Sequence, residues 1–326
     1  MDLIYTNIAG EEQGVLHSFS LDCEISAEQL DFVLRVPRAA AAYLKPGALV
    51  YCDEDTEFGG LLTRIGVDSA SDTLEYYGLT WRGILAKKII RPASGQAYKS
   101  YTLSDQKTAS AIVTELLQAA ELDTLYQIAS TSDYVAFQFD RYCTLLDGIE
   151  KLLRKSGKRL QCSYAPAQGR VLISARTPRV IDPADYPDGS VHLKLTKDYY
   201  PTTHVIGLGR GELASRDVYD VYLSDGGNPV TTRHYTGLED MQEVYDYSNA
   251  ESTAELQKGS AARLLEAQKN TGVELEIKDV SVTIGDVVQG TEPLTGESIE
   301  KEITGKILNM TEHDHTITFT TGDLTS

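Results

Sequence analysis

Short runs of alternating apolar and polar residues, separated by turn-forming residues, recur along the N-terminal part of this chain. Residues 30–37 (LDFVLRVP) alternate with a period of two, which is typical of a strand with one buried face. Turns are predicted at residues 46–47 (PG) and 59–60 (GG), and the last strand-like run is residues 74–79 (LEYYGL). Strands and turns at such regular spacing favour a small β-barrel or sandwich, which we place at residues 1–95.

A helical period replaces the alternation in the next segment, where two apolar stripes recur at spacings of three and four residues. Their members are Ala109, Ile112, Val113, Leu116, Leu117 and Ala120, and then Tyr142, Leu145, Leu146, Ile149, Leu152 and Leu153. We expect Ser104 to cap the N-terminus of the first helix and Gly157 to end the second. A hairpin between residues 160–164 and 171–175 completes an α/β domain at residues 96–178.

Strands return after a Pro- and Asp-rich linker at residues 177–189. The clearest are residues 203–208 and 217–223, and further strands are predicted at residues 280–284, 286–288, 302–308 and 315–319. A long helix is predicted from Ser248, which can form a capping box with Glu251, to about Lys269. These elements predict a second β-barrel at residues 179–326, with the helix at about 248–269 inserted in it. The fold class is therefore α+β, mainly β, with an α/β domain between two small barrels.

The charge balance limits what the chain can bind. It has 30 Lys and Arg against 48 Asp and Glu, a formal charge of −18, whereas tight binding to a nucleic-acid backbone needs many cations. Basic clusters at residues 151–155 and 158–159 lie on a helical stretch, where we interpret them as a solvated helix face and partners of the helix dipole. The 19 tyrosines suit half-buried strands and protein–protein contacts.

Neither membrane insertion nor a disulfide is expected. No apolar run approaches the roughly 20 residues that cross a bilayer. The N-terminus lacks the basic and apolar regions of a signal peptide, so we expect the chain to fold in the cytoplasm. Cys23, Cys52, Cys143 and Cys162 are scattered without a CxxC pair, and we interpret them as reduced core residues.

Two motifs are similar to ligand sites. Residues 207–211 (GLGRG) come closest to a phosphate loop, but the third glycine is misplaced for GxGxxG and the next run alternates like a strand, so we interpret them as a glycine-rich bend. His313 and His315 share a strand face and could bind zinc, yet no motif supplies a third ligand; metal binding there stays open. No GxSxG, HExxH or Walker A motif occurs. We therefore expect no catalytic, cofactor-binding or metal-binding residue and no enzyme activity.

A series of strings carries a family resemblance. They are residues 58–62 (FGGLL), 74–92 (LEYYGLTWRGILAKKIIRP), 141–148 (RYCTLLDG), 203–213 (THVIGLGRGEL), 244–249 (VYDYSN) and 284–288 (IGDVV). In this order, over nearly the whole chain, they resemble the Gp37-like tail-protein family of siphophages and prophages. The layout is also similar to the baseplate hub proteins of contractile tails, including those of PBSX-type prophages. Residues 312–315 (EHDH) depart from the plainer turn that the family leads us to expect.

The resemblance implies a structural virion protein without cofactors. Such hubs are homotrimers with two related β-barrels in each subunit, so that the trimer docks under a six-fold tail tube and joins it to the three-fold tip or spike. The implied partners are tail tube or distal tail proteins, the tape measure protein and the spike or tip protein. DNA or an effector would only pass through an acidic channel. The implied location is the virion tail tip or baseplate, after assembly in the bacterial host cytoplasm.

Two alternatives stay open, as does the choice between a flexible and a contractile tail. A tail-tip protein that binds a host-receptor glycan needs an aromatic platform, for which the chain offers the single tryptophan Trp81. A tail-associated cell-wall hydrolase needs a nucleophile or metal motif, and we recognise none.

Overall fold

The computed structural model describes residues 1–182, 185–186, 191–196, 198, 200–268, 272–277, 282–291, 298–322 and 324. The chain forms two compact units, one made of Met1–His192 with Leu275–Ser326 and the other of Leu193–Glu274. The division into domains at residues 95 and 178 stays a prediction.

Strands dominate the described residues. The strands are β1 (Leu3–Thr6), β2 (Glu12–Val15), β3 (Ser20–Ile25), β4 (Asp31–Pro37), β5 (Leu49–Cys52), β6 (Gly59–Val67), β7 (Thr73–Thr80), β8 (Ser100–Tyr101), β9 (Tyr126–Ile128), β10 (Phe137–Gln138), β11 (Arg159–Ala165), β12 (Arg170–Arg176), β13 (Val180–Ile181), β14 (Val191–Thr196), β15 (His204–Leu208), β16 (Val218–Leu223), β17 (Pro229–Val230), β18 (Gln242–Asp246), β19 (Gly272–Ile277), β20 (Val287–Thr291), β21 (Ser298–Thr311) and β22 (His315–Gly322). The α-helices are α1 (Trp81–Ala86), α2 (Ala109–Ala119), α3 (Leu145–Arg154) and α4 (Thr253–Ala267).

The large sheet of the first unit joins strands from both ends of the chain. Along its main path the order is β22-β21-β3-β4-β7-β6-β5-β1-β2, and every neighbouring pair on this path is antiparallel. β20 pairs with β21, and β13 joins β20 in parallel. The prediction of a mainly β protein is confirmed. Two separate barrels are not confirmed, because β21 from the last segment lies directly beside β3.

Alternation along the strands explains this sheet. Phe32, Leu34 and Val36 point to one face of β4 and are buried, while their neighbours are partly or fully exposed. Leu308 and Met310 of β21 belong to the same hydrophobic core. Burial of apolar area at about 25 cal/mol per Å² holds the two ends of the chain together.

The middle segment packs α2 and α3 with a small sheet of order β11-β12-β9 around a second core. The predicted hairpin is confirmed, because β11 and β12 pair antiparallel from Arg159 to Ala165. The N-caps differ from the expectation. Thr108 caps α2 by accepting a hydrogen bond from the Ala111 N–H, whereas Ser104 lies in the short 3-10 turn Leu103–Asp105.

Helix α1 was not predicted, because residues 81–86 continue a strand-like string. Thr80 caps this helix by accepting a hydrogen bond from the Gly83 N–H at 3.1 Å. Five of its six residues are buried. A helix buried all round has no polar face, so the sequence lacks the amphipathic period that would reveal it.

The second unit is a sheet of order β17-β16-β15-β18 with α4 packed against β15 and β16. The helix begins later than predicted, because Ser252 rather than Ser248 is its N-cap and accepts a hydrogen bond from the Glu255 N–H. Its predicted end at Lys269 and the first two residues of the strand predicted at 280–284 lie outside the described residues.

Candidate functional site: a buried ion-pair seam

Charged side chains meet inside the first unit, where strands from the two ends of the chain face the middle segment. We call them the ionic seam. Its members are Asp55, Glu57, Arg82, Glu150, Arg154, Arg159, Arg176, Arg179, Asp286, Glu302 and Lys306. Because buried charges are costly unless paired, their arrangement shows what holds the three segments together.

Glu302 of β21 accepts hydrogen bonds on both carboxylate oxygens, and its side chain is 1% exposed. Arg159 donates to its two oxygens at 2.9 and 3.0 Å, and Arg154 donates at 2.8 and 3.1 Å. Burial alone would raise the pKa of Glu302, but the hydrogen bonds from the two guanidinium groups outweigh it and lower the pKa. Glu302 is therefore ionised, and it ties β21 to α3 and β11.

Lys306 lies four residues further along β21, beyond a register shift between Ile303 and Gly305, and is also buried. Its ammonium donates to Asp55 at 2.7 Å and to Glu57 at 3.0 Å, and it sits 5.1 Å from the centre of the Phe58 ring. Burial would lower the pKa of Lys306, but the two carboxylates raise it. These two ion pairs attach β21 to the loop between β5 and β6.

Arg82 extends the seam into the unpredicted helix α1. It donates to Glu150 at 2.8 Å and to the Leu160 carbonyl at 2.6 Å, and it lies 3.8 Å from Glu57. Burial opposes its charge, but the neighbouring carboxylates raise the pKa of Arg82. Its Nε and the Oε1 of Glu57 lack hydrogen-bond partners among the described residues.

Asp286 closes the far end of the seam and is fully buried. Arg176 donates to it at 2.6 Å, the Arg179 backbone N–H at 2.8 Å and the Thr283 N–H at 3.1 Å. The end of the middle segment is thereby attached to the loop that precedes β20.

A cleft of about 470 Å³ opens beside these pairs. Arg82, Glu150, Arg154, Arg159 and Glu302 line it together with apolar residues such as Leu30. Since these charges already bond to one another, the arrangement is suited to fixing chain segments rather than to moving protons. Within the described ranges, no group of three or more His, Cys, Asp or Glu side chains is placed to hold a metal ion.

The seam is not predicted by the sequence patterns, and two of its arginines lie in a different environment from the predicted one. Arg154 and Arg159 were interpreted as part of a solvated helix face, but their side chains are only 26% and 13% exposed and both bind Glu302. One signal was available: Lys306 shares a strand face with Leu308 and Met310, which are buried, whereas a register shift between Ile303 and Gly305 separates Glu302 from this alternation. Charges that continue an apolar strand face indicate buried ion pairs.

The glycine-rich string ends a strand. Gly207 lies within β15, and the chain then turns through Gly209, whose N–H donates to the Asp217 carbonyl. A short 3-10 turn and β16 follow, so the string does not lead into the helix that a dinucleotide loop requires. Gly207 also packs against α4, where a Cβ would lie 2.0 Å from the Ser260 hydroxyl.

The histidine motif lies at the β21–β22 turn, with His313 and His315 exposed. Its acidic neighbour binds another segment: Glu312 accepts a hydrogen bond from the Ser18 N–H at 2.9 Å and lies 2.9 Å from the His17 ring. The Ser18 N–H and His17 lower the pKa of Glu312. Glu312, one of the residues that departs from a plainer turn, thus connects the β21–β22 turn to residues 17–18.

Trp81 and the cysteines are core residues. Trp81 is 1% exposed and stacks on Tyr164 at 5.2 Å. The cysteines are free, and three are buried. Burial raises the pKa of Cys52 and Cys162 to about 12, so both thiols are protonated and unreactive at neutral pH.

Comparison with known proteins gives solved structures of low sequence identity. No family model and no curated protein matches the chain. It is similar to the prophage tail protein gp18 from Listeria monocytogenes, with 14% identity, a TM-score of 0.48 and coverage of 100% of this chain and 96% of that one. The 43 kDa tail protein of prophage MuSo2 from Shewanella oneidensis has 11% identity, a TM-score of 0.48 and coverage of 99% and 98%.

A third neighbour is the Escherichia coli c3393 protein, with 11% identity, a TM-score of 0.42 and coverage of 95% of this chain and 74% of that one. It is described as a component of the type VI secretion system with structural similarity to the T4 bacteriophage tail proteins gp27 and gp5. Tail proteins are the class that the sequence resemblance names, while the narrower Gp37-like family stays a prediction. No helix among the described residues has both the length and the apolar character to cross a bilayer.

Proposed function

We propose that this chain is a structural, non-catalytic tail protein: a trimeric tail or baseplate hub that joins a six-fold tail tube to a three-fold tip or spike. The observation that carries the proposal is that both ends of the chain share one sheet and that buried ion pairs attach the middle segment to it. Such a body resists deformation, as a connector between tail parts must. The ordered series of tail-hub strings supports the particular role.

The partners follow from this role. Tail tube or distal tail proteins would bind above the trimer, the tape measure protein within it and the spike or tip protein below. DNA or an effector would pass through the centre without binding, which the charge of −18 supports because like charges repel. The protein would be assembled in the host cytoplasm and located at the virion tail tip or baseplate.

The burial of Trp81 counts against the glycan-binding alternative, because a buried indole offers no platform to a sugar. The hydrolase alternative is tested by incubating the purified chain with cell walls and following turbidity. Clearing of the suspension by this chain alone would replace the structural role with an enzymatic one.

The trimer is tested by measuring mass in solution and by electron microscopy of the purified chain mixed with tail tube protein. We expect particles of three times the 35.8 kDa chain mass, seen as rings with three-fold symmetry at tube ends. A stable dimer that never caps the tube would contradict the hub role.

A further inference from the structure

Four cations that are not members of the ionic seam line one cleft of the first unit. Lys87, Lys88, Arg91 and Lys99 surround a volume of about 410 Å³, with Glu121 as the acidic residue of its lining. We call it the basic cleft. In the described part of the chain, none of these four side chains forms an ion pair or donates a side-chain hydrogen bond, and the Lys99 ammonium lies 6.0 Å from the Tyr101 ring.

Acidic residues outnumber basic ones by 48 to 30 in the chain, yet the lining of this cleft holds four cations and one carboxylate. The cations of the ionic seam all bind carboxylates, whereas the lining of the basic cleft places four cations beside one carboxylate, Glu121. Lys99 also helps to lower the pKa of Glu115. Helix dipoles account for some of these cations, because the C-terminus of a helix carries a partial negative charge. Lys87 is the C-cap of α1, and Ala120, the C-cap of α2, also lines the cleft. Arg91 and Lys99 lie outside both helices, so dipoles do not account for them.

The walls of the cleft indicate the kind of anion. Ile89, whose side chain is half-exposed, lines it beside the cations, so the occupant has both acidic and apolar groups. A polypeptide segment with alternating carboxylate and aliphatic side chains meets this condition. Nucleic acid fits less well, because its phosphates need a long basic track and the chain as a whole carries a charge of −18.

We propose that the basic cleft is a docking site for an acidic, partly apolar segment of a partner polypeptide. Carboxylates of the partner pair with Lys87, Lys88, Arg91 and Lys99, and its aliphatic side chains pack against Ile89. This inference does not depend on the tail-hub role.

The test uses a short fluorescein-labelled peptide of repeating Glu-Glu-Leu and the full chain at low salt, with binding followed by fluorescence anisotropy. The reversal in K87E/R91E removes two attractions and adds two repulsions, so binding is expected to weaken about tenfold. A matched control, R210E/K258E, reverses one arginine and one lysine that are exposed in the second unit. It should bind like the parent chain.

Thermal melts establish that both double variants are folded. Binding that is lost only in K87E/R91E, and that falls with added salt, supports the proposal. Equal loss in both variants, no binding by the parent chain or equal binding of a Lys-Lys-Leu peptide overturns it. Tighter binding of single-stranded DNA of similar length also overturns it and assigns the cleft to nucleic acid.

Discussion

Arg159 and Glu302 form a two-point ion pair across 143 residues of sequence, with donor–acceptor distances of 2.9 and 3.0 Å. The pair joins the first strand of the central hairpin to the strand that lies beside β3. Arg154 binds the same carboxylate from the end of α3. Folding therefore brings Glu302 of the last segment between Arg154 and Arg159 of the middle segment.

Replacing Glu302 by glutamine is expected to destabilise the first unit. The substitution keeps the size of the side chain but leaves two partly buried guanidinium groups without a countercharge, which costs about 3–5 kcal/mol. Chemical denaturation followed by circular dichroism measures the free energy of unfolding. Glu300 is exposed on the same strand and supplies the control, since E300Q should change that free energy by less than about 0.5 kcal/mol. Similar losses in both variants would mean that the ion pair contributes nothing.

Acid should weaken the same contact. The pKa of Glu302 in the folded chain lies below its ordinary value of 4.5, so its ion pairs stabilise the fold above that pH and are lost as the pH falls through the lower folded value. Unfolding free energies measured from neutral pH to about pH 3 should fall more steeply for the parent chain than for E302Q. Parallel curves would show that Glu302 has the same pKa in the folded and unfolded chains.

Lys306 and Glu57 should be energetically coupled. K306M alone leaves the buried Glu57 and the partly exposed Asp55 without their ammonium and is expected to cost about 3 kcal/mol. E57Q removes one of these carboxylates, so the double variant K306M/E57Q should be more stable than the sum of the single effects by at least about 1 kcal/mol. A double-mutant cycle by chemical denaturation gives the coupling directly. If the two changes in unfolding free energy simply add, the 3.0 Å contact between Lys306 and Glu57 contributes no interaction energy.

The contact between Gly207 and Ser260 tests the packing of the second unit. An added Cβ at Gly207 would lie 2.0 Å from the Ser260 hydroxyl, so G207A is expected to destabilise by about 1–3 kcal/mol. S260A should be neutral or stabilising by up to about 1 kcal/mol, because this buried hydroxyl lacks a hydrogen-bond partner among the described residues.

The double variant G207A/S260A should recover part of the loss, since the clashing oxygen is gone and the Ser260 Cβ would be 3.2 Å away. Gly226 serves as the control position, because a Cβ there would meet its nearest neighbour at 3.7 Å. If G226A and G207A melt alike, the close approach of β15 to α4 is not what Gly207 provides.

Local patterns predicted much of the secondary structure. An element that buries one face leaves a hydrophobic period in the sequence. The alternation in β4 and the apolar stripes of α2 and α3 are such periods, and they were sufficient to predict these three elements. Helix α1 left no such period because it is buried on nearly every side. The N-cap of α4 was misplaced because Ser248 and Ser252 each precede an acid by three residues, and spacing alone does not rank two equivalent caps.

The sequence by itself determined a mainly β, acidic chain with an amphipathic α/β middle segment, because hydrophobic period and composition are local properties. Only the tertiary structure decided that β21 pairs with β3 and that Glu302 and Lys306 are neutralised inside the first unit. These choices depend on long-range contacts, since the register of a strand and the partner of a buried charge are set by residues more than a hundred positions away.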